Sequence, residues 1–598
     1  MGRLRYDATL LERADGGPGR WRVAAPGHPT VVWAGFATGP EVLSPAELDR
    51  LARLLLGVGL PDVAAAAAEA VVSFVAGEGP PPPALLLHSA TSTTKGFEGD
   101  LTDVQAGRHA YDVPGYLEAR VVALAAPGDL AVGRAAPWRE AVELGGVDHV
   151  DIGDLDRYYL SQAMLLAAEA YLAAGGAAEP AEPAEPGGAV GPAGPADPRV
   201  AGTARIVAWL RAHPDAVVRI YALDTELQIL LTWLRRAAGL PRIRIDANNP
   251  IVSHRWNQKN HIHPDTAVAA GLTGAAGLRG YPVLALEQAA GDGARRLGLP
   301  GPALPGYTLR RAGDPAAFVA TARAAADLLR RRHGITRGCL KPSEAGDGAR
   351  IVAGLDLLDL AELDREVARA WHHGDDYLLE ANVEFVTFAA AGRTFLLSPS
   401  GHIRGGHVAP GLTAQLMNGR AWEGNAYVDA DTAGDVGLTP ELYAGIRASL
   451  VGIRDAFYGP RAVAEGCHAG LVTGGIDYAV GRVGGFYGDE VLAAAIDFNL
   501  SSHGAEYLRA FLDQVRPEGY RYAATRVYRP TAAATLATTR EAVLAAAPPG
   551  QRVTAVAAVP GSWGMVGCTG PDTLTAVGNA LALVAVLAER GLAQPPSD

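Results

Sequence analysis

Two aspartates lie on apolar segments that a glycine-rich turn separates, and their spacing favours a shared site. Asp477 precedes the turn at Gly484–Gly485, and Asp497 follows it. The midpoint between them is residue 487, so a hairpin that closes there places the two carboxylates opposite each other, about 5 Å apart. Asn499 shares a face with Asp497, because residues two apart on a strand point to the same side.

Two like charges opposed on an apolar hairpin repel each other, and a bound cation removes this cost. A small set of oxygen ligands suits Mg²⁺ when substrate phosphates also hold the ion. The pattern therefore favours a magnesium site at Asp477, Asp497 and Asn499. The alternative is that one aspartate points to solvent, or that the register of the hairpin differs.

A lysine precedes a short glycine-bearing loop in the segment 339–352. The pattern predicts a strand that ends at Lys341, then a loop, then a second strand. The ε-ammonium group is a compact charge that suits phosphate oxygens, and backbone N–H groups of such a loop can surround phosphates. The alternative is a plain hairpin with an exposed lysine.

An apolar strand is predicted to begin at Tyr377 and to end near Glu380, and Glu384 follows four residues later. A strand edge can present backbone groups to adenine, and a carboxylate can accept hydrogen bonds from ribose hydroxyls. Many strands end in glutamate, so the alternative is an ordinary strand end.

Taken in order, these segments resemble the ATP-grasp superfamily, and within it the peptide ligases of the pheganomycin type. The stretch Asn257-Gln258-Lys259 resembles the earlier lysine of that family, which precedes a helix. The resemblance covers roughly residues 200–598 and does not clearly include the first 170. It implies an ATP-dependent ligase that joins a carboxylate to an amine through an acyl phosphate.

The resemblance also implies a role for each matching residue. Two lysines would contact the ATP phosphates, namely Lys259 and Lys341. A mobile loop would cover the phosphates, with Ser343, Gly346 and Gly348 among its residues. The adenosine pocket would be lined by Glu380, Val383 and Glu384. Asp477, Asp497 and Asn499 would hold Mg²⁺, so the expected cofactors are ATP and Mg²⁺.

Two positions depart from the pattern of the family. Asp497 stands where relatives usually have glutamate, and Ser501 stands where many relatives place an arginine two residues after Asn499. That arginine helps to neutralise the developing acyl phosphate. His503 and Arg404 are the candidates to supply this charge and are therefore predicted catalytic residues, together with Lys341.

The expected partners are a small-molecule carboxylate and amine, such as an amino acid or a small peptide, in natural-product biosynthesis. Two other functions stay open. A metal-dependent hydrolase could use His261 and His263, which have the His-x-His spacing of metal ligands. An inactive ATP-grasp relative could bind nucleotide without turnover, because the arginine after Asn499 is missing.

The elements that must position these residues predict an α/β fold. A strand at Val217–Tyr221, a helix at Thr225–Ala238 and a strand at Ile243–Ile245 indicate a doubly wound unit. Asp314 followed by Pro315 predicts the start of a helix that ends at His333. We therefore expect an ATP-grasp fold with α+β lobes, preceded by a doubly wound pre-ATP-grasp domain and an extra N-terminal region.

Composition shifts and the resemblance divide the chain. The expected parts are an N-terminal region at 1–172, a Pro/Gly/Ala-rich linker at 173–199, the end of the pre-ATP-grasp domain at 200–258, a lid lobe at 259–380, a catalytic lobe at 381–510 and a small C-terminal domain at 511–598.

Composition excludes several other classes of protein. The 598-residue chain has a net charge of −12, which disfavours nucleic acid as a partner. Three widely spaced cysteines form neither a disulfide framework nor a zinc pattern. The longest apolar run, Ala580–Leu587, is far shorter than the roughly 20 residues that span a bilayer. We expect a cytoplasmic protein that does not bind membranes, and the sequence allows a homodimer.

Overall fold

The fold is described from a computed structural model of the chain. The structure describes residues 3–6, 9–13, 20–24, 31–34, 71–77, 79–89, 113–153, 160–175, 197–221, 223, 225–248, 259, 304–311, 314–343, 350–373, 376–419, 421–458 and 471–595. The chain forms two compact units. The N-terminal unit comprises 1–93, 97–254 and 557–562, and the C-terminal unit comprises 94–96, 255–556 and 563–598.

The N-terminal unit begins with four short strands, β1 Arg3–Tyr6, β2 Thr9–Arg13, β3 Arg20–Ala24 and β4 Val31–Ala34. They form one antiparallel sheet in chain order. Six further strands follow, namely β5 Val71–Ser73, β6 Ala84–Leu86, β7 Leu130–Gly133, β8 His149–Asp151, β9 Val217–Arg219 and β10 Ile243–Ile245. These form a parallel sheet in the order β5-β10-β9-β6-β7-β8.

Helices connect the strands of this parallel sheet. They are α1 Val113–Val121, α2 Ala136–Gly145, α3 Leu160–Ala173, α4 Pro198–Ala212 and α5 Thr225–Ala237, with a 3₁₀ turn at Val122–Leu124. Every residue of β6 and β7 is buried, as is typical of parallel strands that are covered on both faces. The predicted doubly wound α/β unit is therefore present.

The structure differs from the expected division of the chain at this sheet. Strands β5 to β8 precede the linker at 173–199, and β9 and β10 follow it. Strands of three or four residues cannot bury both faces alone, so they share one sheet and one core across the linker.

The C-terminal unit contains a four-stranded antiparallel sheet built from β11 Gly306–Leu309, β12 Arg337–Pro342, β13 Val352–Asp356 and β14 Tyr377–Ala381. Its order is β11-β14-β12-β13, and α6 Pro315–His333 and α7 Leu360–Trp371 share its apolar core. The predicted start of α6 is confirmed, because the Asp314 carboxylate accepts a hydrogen bond from the Ala317 N–H at 2.7 Å. The helix ends at His333, as predicted.

A ten-stranded sheet forms most of the rest of this unit. Its strands are β15 Glu384–Phe385, β18 Pro399–Arg404, β19 His407–Val408, β20 Leu412–Asn418, β21 Ala421–Val428, β22 Gly474–Arg482, β23 Val491–Asn499, β24 Tyr522–Tyr528, β25 Val553–Ala558 and β26 Gly564–Gly570. The order is β15-β22-β18-β20-β21-β24-β26-β25, with β23 paired to β22 and β19 paired to β18. Strands β16 Thr387–Ala390 and β17 Arg393–Leu396 form a separate hairpin.

Four helices accompany the large sheet, namely α8 Pro440–Tyr458, α9 Ala505–Val515, α10 Leu536–Ala545 and α11 Thr573–Glu589. Single 3₁₀ turns lie at Gly434–Val436, Gly485–Tyr487 and Arg516–Glu518. Strands β24 and β26, which we expected in a separate C-terminal domain, extend the same sheet as β18 to β23. The reason is direct pairing of β24 with β21.

At β18 the two faces of the large sheet carry different kinds of neighbour. On the packing face, α8 approaches so closely that a Cβ atom at Gly401 would lie 2.0 Å from Leu450 Cδ1. The neighbours of Gly401 on β18, Ser400 and His402, point to the opposite face because side chains alternate along a strand. Among the described residues, no helix has the length and apolar character that crossing a bilayer requires.

Candidate active site

The β22–β23 hairpin places the two aspartates opposite each other. Asp477 pairs with Asp497 across the two strands, and Gly475 pairs with Asn499. This register confirms the sequence prediction, including a turn that contains residue 487. Both carboxylates and the Asn499 amide therefore lie on one face of the large sheet, which is the face that Ser400 shares by pairing with Asp477.

Repulsion between the aspartates is visible in the pKa of Asp477, which is raised to about 6. Burial is the largest cause, and the negative charge of Asp497 adds to it. Hydrogen bonds from Ser400 and Gln415 and the charge of Lys259 act in the opposite direction. The Asn499 amide N–H also donates to Asp477 Oδ2 at 2.9 Å.

Asp497 holds one lysine and leaves one oxygen without a partner. Lys259 Nζ lies 2.8 Å from Asp497 Oδ2. The backbone N–H of Lys259 donates to the Ser343 carbonyl at 2.9 Å, which fixes the lysine beside the start of the predicted phosphate loop. Asp497 Oδ1 is buried and accepts no hydrogen bond within the part of the chain that the structure describes.

The second lysine, Lys341, is held beside β23, the strand that carries Asp497. Lys341 Nζ lies 2.7 Å from Glu380 Oε1 and donates to the Ile496 carbonyl at 2.8 Å, one residue before Asp497. Burial would lower the pKa of Lys341, but the charges of Glu380 and Asp497 and the hydrogen bond to Glu380 together raise it. Lys341 is therefore a buried cation at neutral pH.

The donor set fits a divalent cation held together with phosphates. Two carboxylates and an amide oxygen are hard oxygen ligands of the kind that Mg²⁺ prefers. The unpartnered Asp497 Oδ1 and the raised pKa of Asp477 both indicate missing positive charge. Within the described ranges, no cluster of three or more His, Cys, Asp or Glu side chains could hold a metal alone. Such a site would need further ligands from a substrate.

Two histidines lie next to the aspartates on the same face. His402 pairs with Gly475 across the strands, and a Cβ atom at Gly475 would lie 3.3 Å from the His503 ring. His402 Nδ1 is 3.1 Å from His503 Nε2, and His402 Nε2 is 2.8 Å from the Thr413 hydroxyl. Burial, with the charges of nearby cations, lowers the pKa of His402 well below its usual value, so this ring is neutral.

The other predicted residues lie at different distances from this centre. Arg404 is half-buried and follows His402 by two residues on β18, so it lies on the same face. Glu384 is exposed on β15 and pairs with Arg482, which is five residues, or about 17 Å, from Asp477 along β22.

Of the remaining predicted residues, Val383 and Glu380 are described by the structure. Val383 packs partly against the apolar core of the four-stranded sheet. The structure pairs the Glu380 carboxylate with Lys341 rather than leaving it free at a strand end. Gly346, Gly348, His261 and His263 lie outside the described residues.

Ser400 and Thr413 are site neighbours that the sequence analysis missed. The signal was present, because Ser400, His402 and Arg404 alternate with Gly401 and Ile403, which is the period of a strand with one polar face.

Comparisons with known proteins add little to this geometry. No family model and no curated protein sequence matches the chain. A solved structure of purK, N5-carboxyaminoimidazole ribonucleotide synthetase in complex with ADP, is 12% identical, with a TM-score of 0.36, over 65% of this chain and 84% of that chain. D-cycloserine synthetase DcsG is 17% identical with a TM-score of 0.26, over 50% of this chain and 84% of that chain.

The D-alanine-D-alanine ligase from Coxiella burnetii is 14% identical with a TM-score of 0.27, over 49% of this chain and 63% of that chain. Identities and TM-scores this low support no statement about the activity of this chain, which depends on the site itself.

We predict that Lys341 and Glu380 each stabilise the fold only while the other is present. Glu380→Ala leaves a buried ammonium without its counter-charge and should lower the free energy of unfolding by about 3–5 kcal/mol. The double variant Lys341→Met with Glu380→Leu should recover most of that loss. Urea unfolding of the three proteins measures both effects, and a single variant as stable as the parent would contradict the ion pair.

We also predict that Asp477→Asn stabilises the metal-free protein above pH 6. Because the pKa of Asp477 is raised by folding, the folded state binds its proton more tightly, and stability falls as pH rises from about 4 to about 6. The substitution should remove a cost on the order of 3 kcal/mol at pH 8 and change little at pH 4. Thermal unfolding at both pH values measures this difference. Equal effects at pH 4 and pH 8 would contradict repulsion as the cause.

Proposed function

We propose that the C-terminal unit is an ATP-dependent carboxylate–amine ligase of the ATP-grasp type that forms an amide bond through an acyl phosphate. One observation carries the proposal: two buried lysines converge on a pair of opposed aspartates. Lys259 contacts Asp497 directly, and Lys341 is bound to the carbonyl of the residue before it. Cations and carboxylates in such an arrangement suit a magnesium–triphosphate ligand.

In this proposal the nucleotide is held by residues from several elements. Lys341 from β12 and Lys259 contact phosphates, and the loop with Ser343, Gly346 and Gly348 covers them. Asp477, Asp497 and Asn499 hold Mg²⁺. Val383 and Glu384 line the adenosine pocket at the far end of β22, and Glu380 balances the charge of Lys341.

Bound Mg²⁺·ATP supplies the phosphoryl group and part of the charge that neutralises it. The protein contributes position and electrostatics, since phosphoryl transfer leaves little covalent chemistry to side chains. Lys341 is charged and fixed before any ligand binds, so little reorganisation is needed when negative charge develops. With Mg²⁺ held by Asp497, Lys259 would be available to contact a phosphate oxygen.

The substrate carboxylate needs a cation that Ser501 cannot supply. Ser501 is buried and uncharged, and its hydroxyl donates to the Ser502 carbonyl. We assign this role to His503 and Arg404, which flank His402 on the polar face. The reacting partners are then a small carboxylate and an amine, namely an amino acid or a peptide.

A nucleotide-binding protein without turnover is the second candidate, because the position of Ser501 lacks a charge. The experiment that separates the two is release of ADP from ATP in the presence of Mg²⁺, pooled carboxylates and pooled amines, with mass spectrometry of the ligated product. The ligase requires all components together. Nucleotide binding without ADP release from any pool would favour the second candidate.

We predict that Lys341→Ala and Asp497→Asn each lower ADP release by at least about 100-fold, because each removes charge that acts on the transferring phosphoryl group. Asp455→Asn, a substitution of an exposed aspartate on α8, is the matched control and should leave the rate unchanged. Initial rates at saturating ATP check this. Full activity in either site variant would refute the assignment.

A further inference from the structure

A second group of polar side chains crosses the same face of the large sheet. Gln415 on β20 pairs with Asn425 on β21, and Asn425 pairs with Thr525 on β24. Directly opposed residues share a face. The row formed by Gln415, Asn425 and Thr525 lies on the same face as Asp477. The reason is that Ser400 pairs with both Asp477 and Thr413, and Thr413 is two residues before Gln415 on β20.

One member of this row is buried without a hydrogen bond. Thr525 has no exposed surface, and its hydroxyl has no hydrogen-bond partner in the described chain. Asn425, which pairs with Thr525, is 2% exposed. Buried polar side chains are nearly always hydrogen-bonded in folded proteins. The unpartnered Thr525 hydroxyl beside the buried Asn425 amide indicates a ligand that completes this pair.

Gln415 connects the row to the candidate active site. Its side chain forms a hydrogen bond with the Asp477 carboxylate and lies opposite Asn425. A group bound at Asn425 is therefore separated from Asp477 by two strands. At about 4.8 Å per strand, the distance from β22 to β21 is about 14 Å.

An aromatic side chain lies on β21, the strand that carries Asn425. Gly424 has φ of 152°, and a Cβ atom there would lie 2.0 Å from the Thr525 carbonyl oxygen, so only glycine fits. A Cβ atom at Gly504, next to His503, would lie 2.5 Å from the Trp422 ring. The indole ring of Trp422 therefore lies near the histidine that contacts His402.

The chemistry of the row selects an uncharged ligand group. An asparagine amide offers two donors and an acceptor, and a threonine hydroxyl can donate or accept. Neither can neutralise a charge, and an unpaired charge would be costly to bury. We propose that Asn425 and Thr525 form a subsite for an amide or peptide group of the substrate, and that this subsite determines specificity.

The subsite deepens the proposed ligase function and rests on it. A substrate that reacts near Asp477 and reaches Asn425 must extend about 14 Å, which is about four residues of extended peptide. A free amino acid is too short to fill both places. The substrate class is therefore a carboxylate or amine that carries peptide bonds.

The test uses the full-length protein, a pool of tetrapeptides with free termini and a pool of free amino acids. Steady-state ADP release with Mg²⁺·ATP should favour the tetrapeptides. Thr525→Val, which keeps the shape and removes the hydroxyl, should raise KM for the preferred peptide at least tenfold and leave KM for ATP unchanged. Thr525→Ser should retain the parental KM within about twofold, because it keeps the hydroxyl. Asn425→Ala should behave like Thr525→Val.

Thr394→Val, at an exposed threonine of β17, is the control and should change neither KM. An unchanged KM in Thr525→Val together with a higher Tm would overturn the proposal, because the hydroxyl would then be only an unsatisfied group of the fold.

Failure of the ligase function is separated from failure of the subsite by a binding measurement. Affinity selection of the tetrapeptide pool by protein with Mg²⁺·ADP needs no turnover. Retention of peptides by the parent and loss of retention in Thr525→Val would support the subsite even if no ADP is released. Absence of retained peptides in the parent would overturn it, whatever the outcome of the ADP assay.

Discussion

The site depends on one electrostatic constraint, the opposition of two carboxylates across a β-hairpin. Asp477 and Asp497 pair directly, and folding raises the pKa of Asp477 to about 6 as a result of burial and the neighbouring charge. A fold that keeps this arrangement must supply positive charge nearby. Lys259 supplies part of this charge, with its Nζ 2.8 Å from Asp497 Oδ2. Lys341 donates a hydrogen bond to the Ile496 carbonyl on β23, the strand of Asp497. The remaining oxygen of Asp497 has no partner in the described chain, and we propose that a cation binds there.

At β18, alternation of side chains separates packing against α8 from the polar groups of the candidate site. Alternation along β18 directs Gly401 towards Leu450 on α8 and directs Ser400 and His402 towards the aspartates. On that face, the side chain of Asp477 is hydrogen-bonded to that of Gln415, and the side chain of His402 is hydrogen-bonded to that of Thr413. Close packing on one side thus fixes the positions of polar groups on the other.

Local features of the site could be predicted from the sequence. The turn residues and the equal spacing around residue 487 were enough to give the register of Asp477 and Asp497, because hairpin pairing is local. The start of α6 at Asp314 was predicted for the same reason, since a capping side chain bonds to its own first turn.

Non-local pairing could not be predicted in this way. Lys341 reaches Glu380 because β12 and β14 are neighbours, and the sequence alone does not state that order. The same limit applies to the parallel sheet of the N-terminal unit, which joins strands from both sides of the linker. The row from Gln415 to Thr525 spans 110 residues of sequence and becomes a row only when three strands pair.

The most direct test of the central claim is the position of a divalent cation in crystals grown with Mn²⁺ and ADP. Anomalous diffraction locates Mn²⁺ without reference to the protein density. The account predicts a peak about 2.0–2.3 Å from a carboxylate oxygen of both Asp477 and Asp497, with Lys259 moved from Asp497 to a phosphate. A peak elsewhere, or nucleotide bound while the Lys259–Asp497 contact persists without metal, would contradict it.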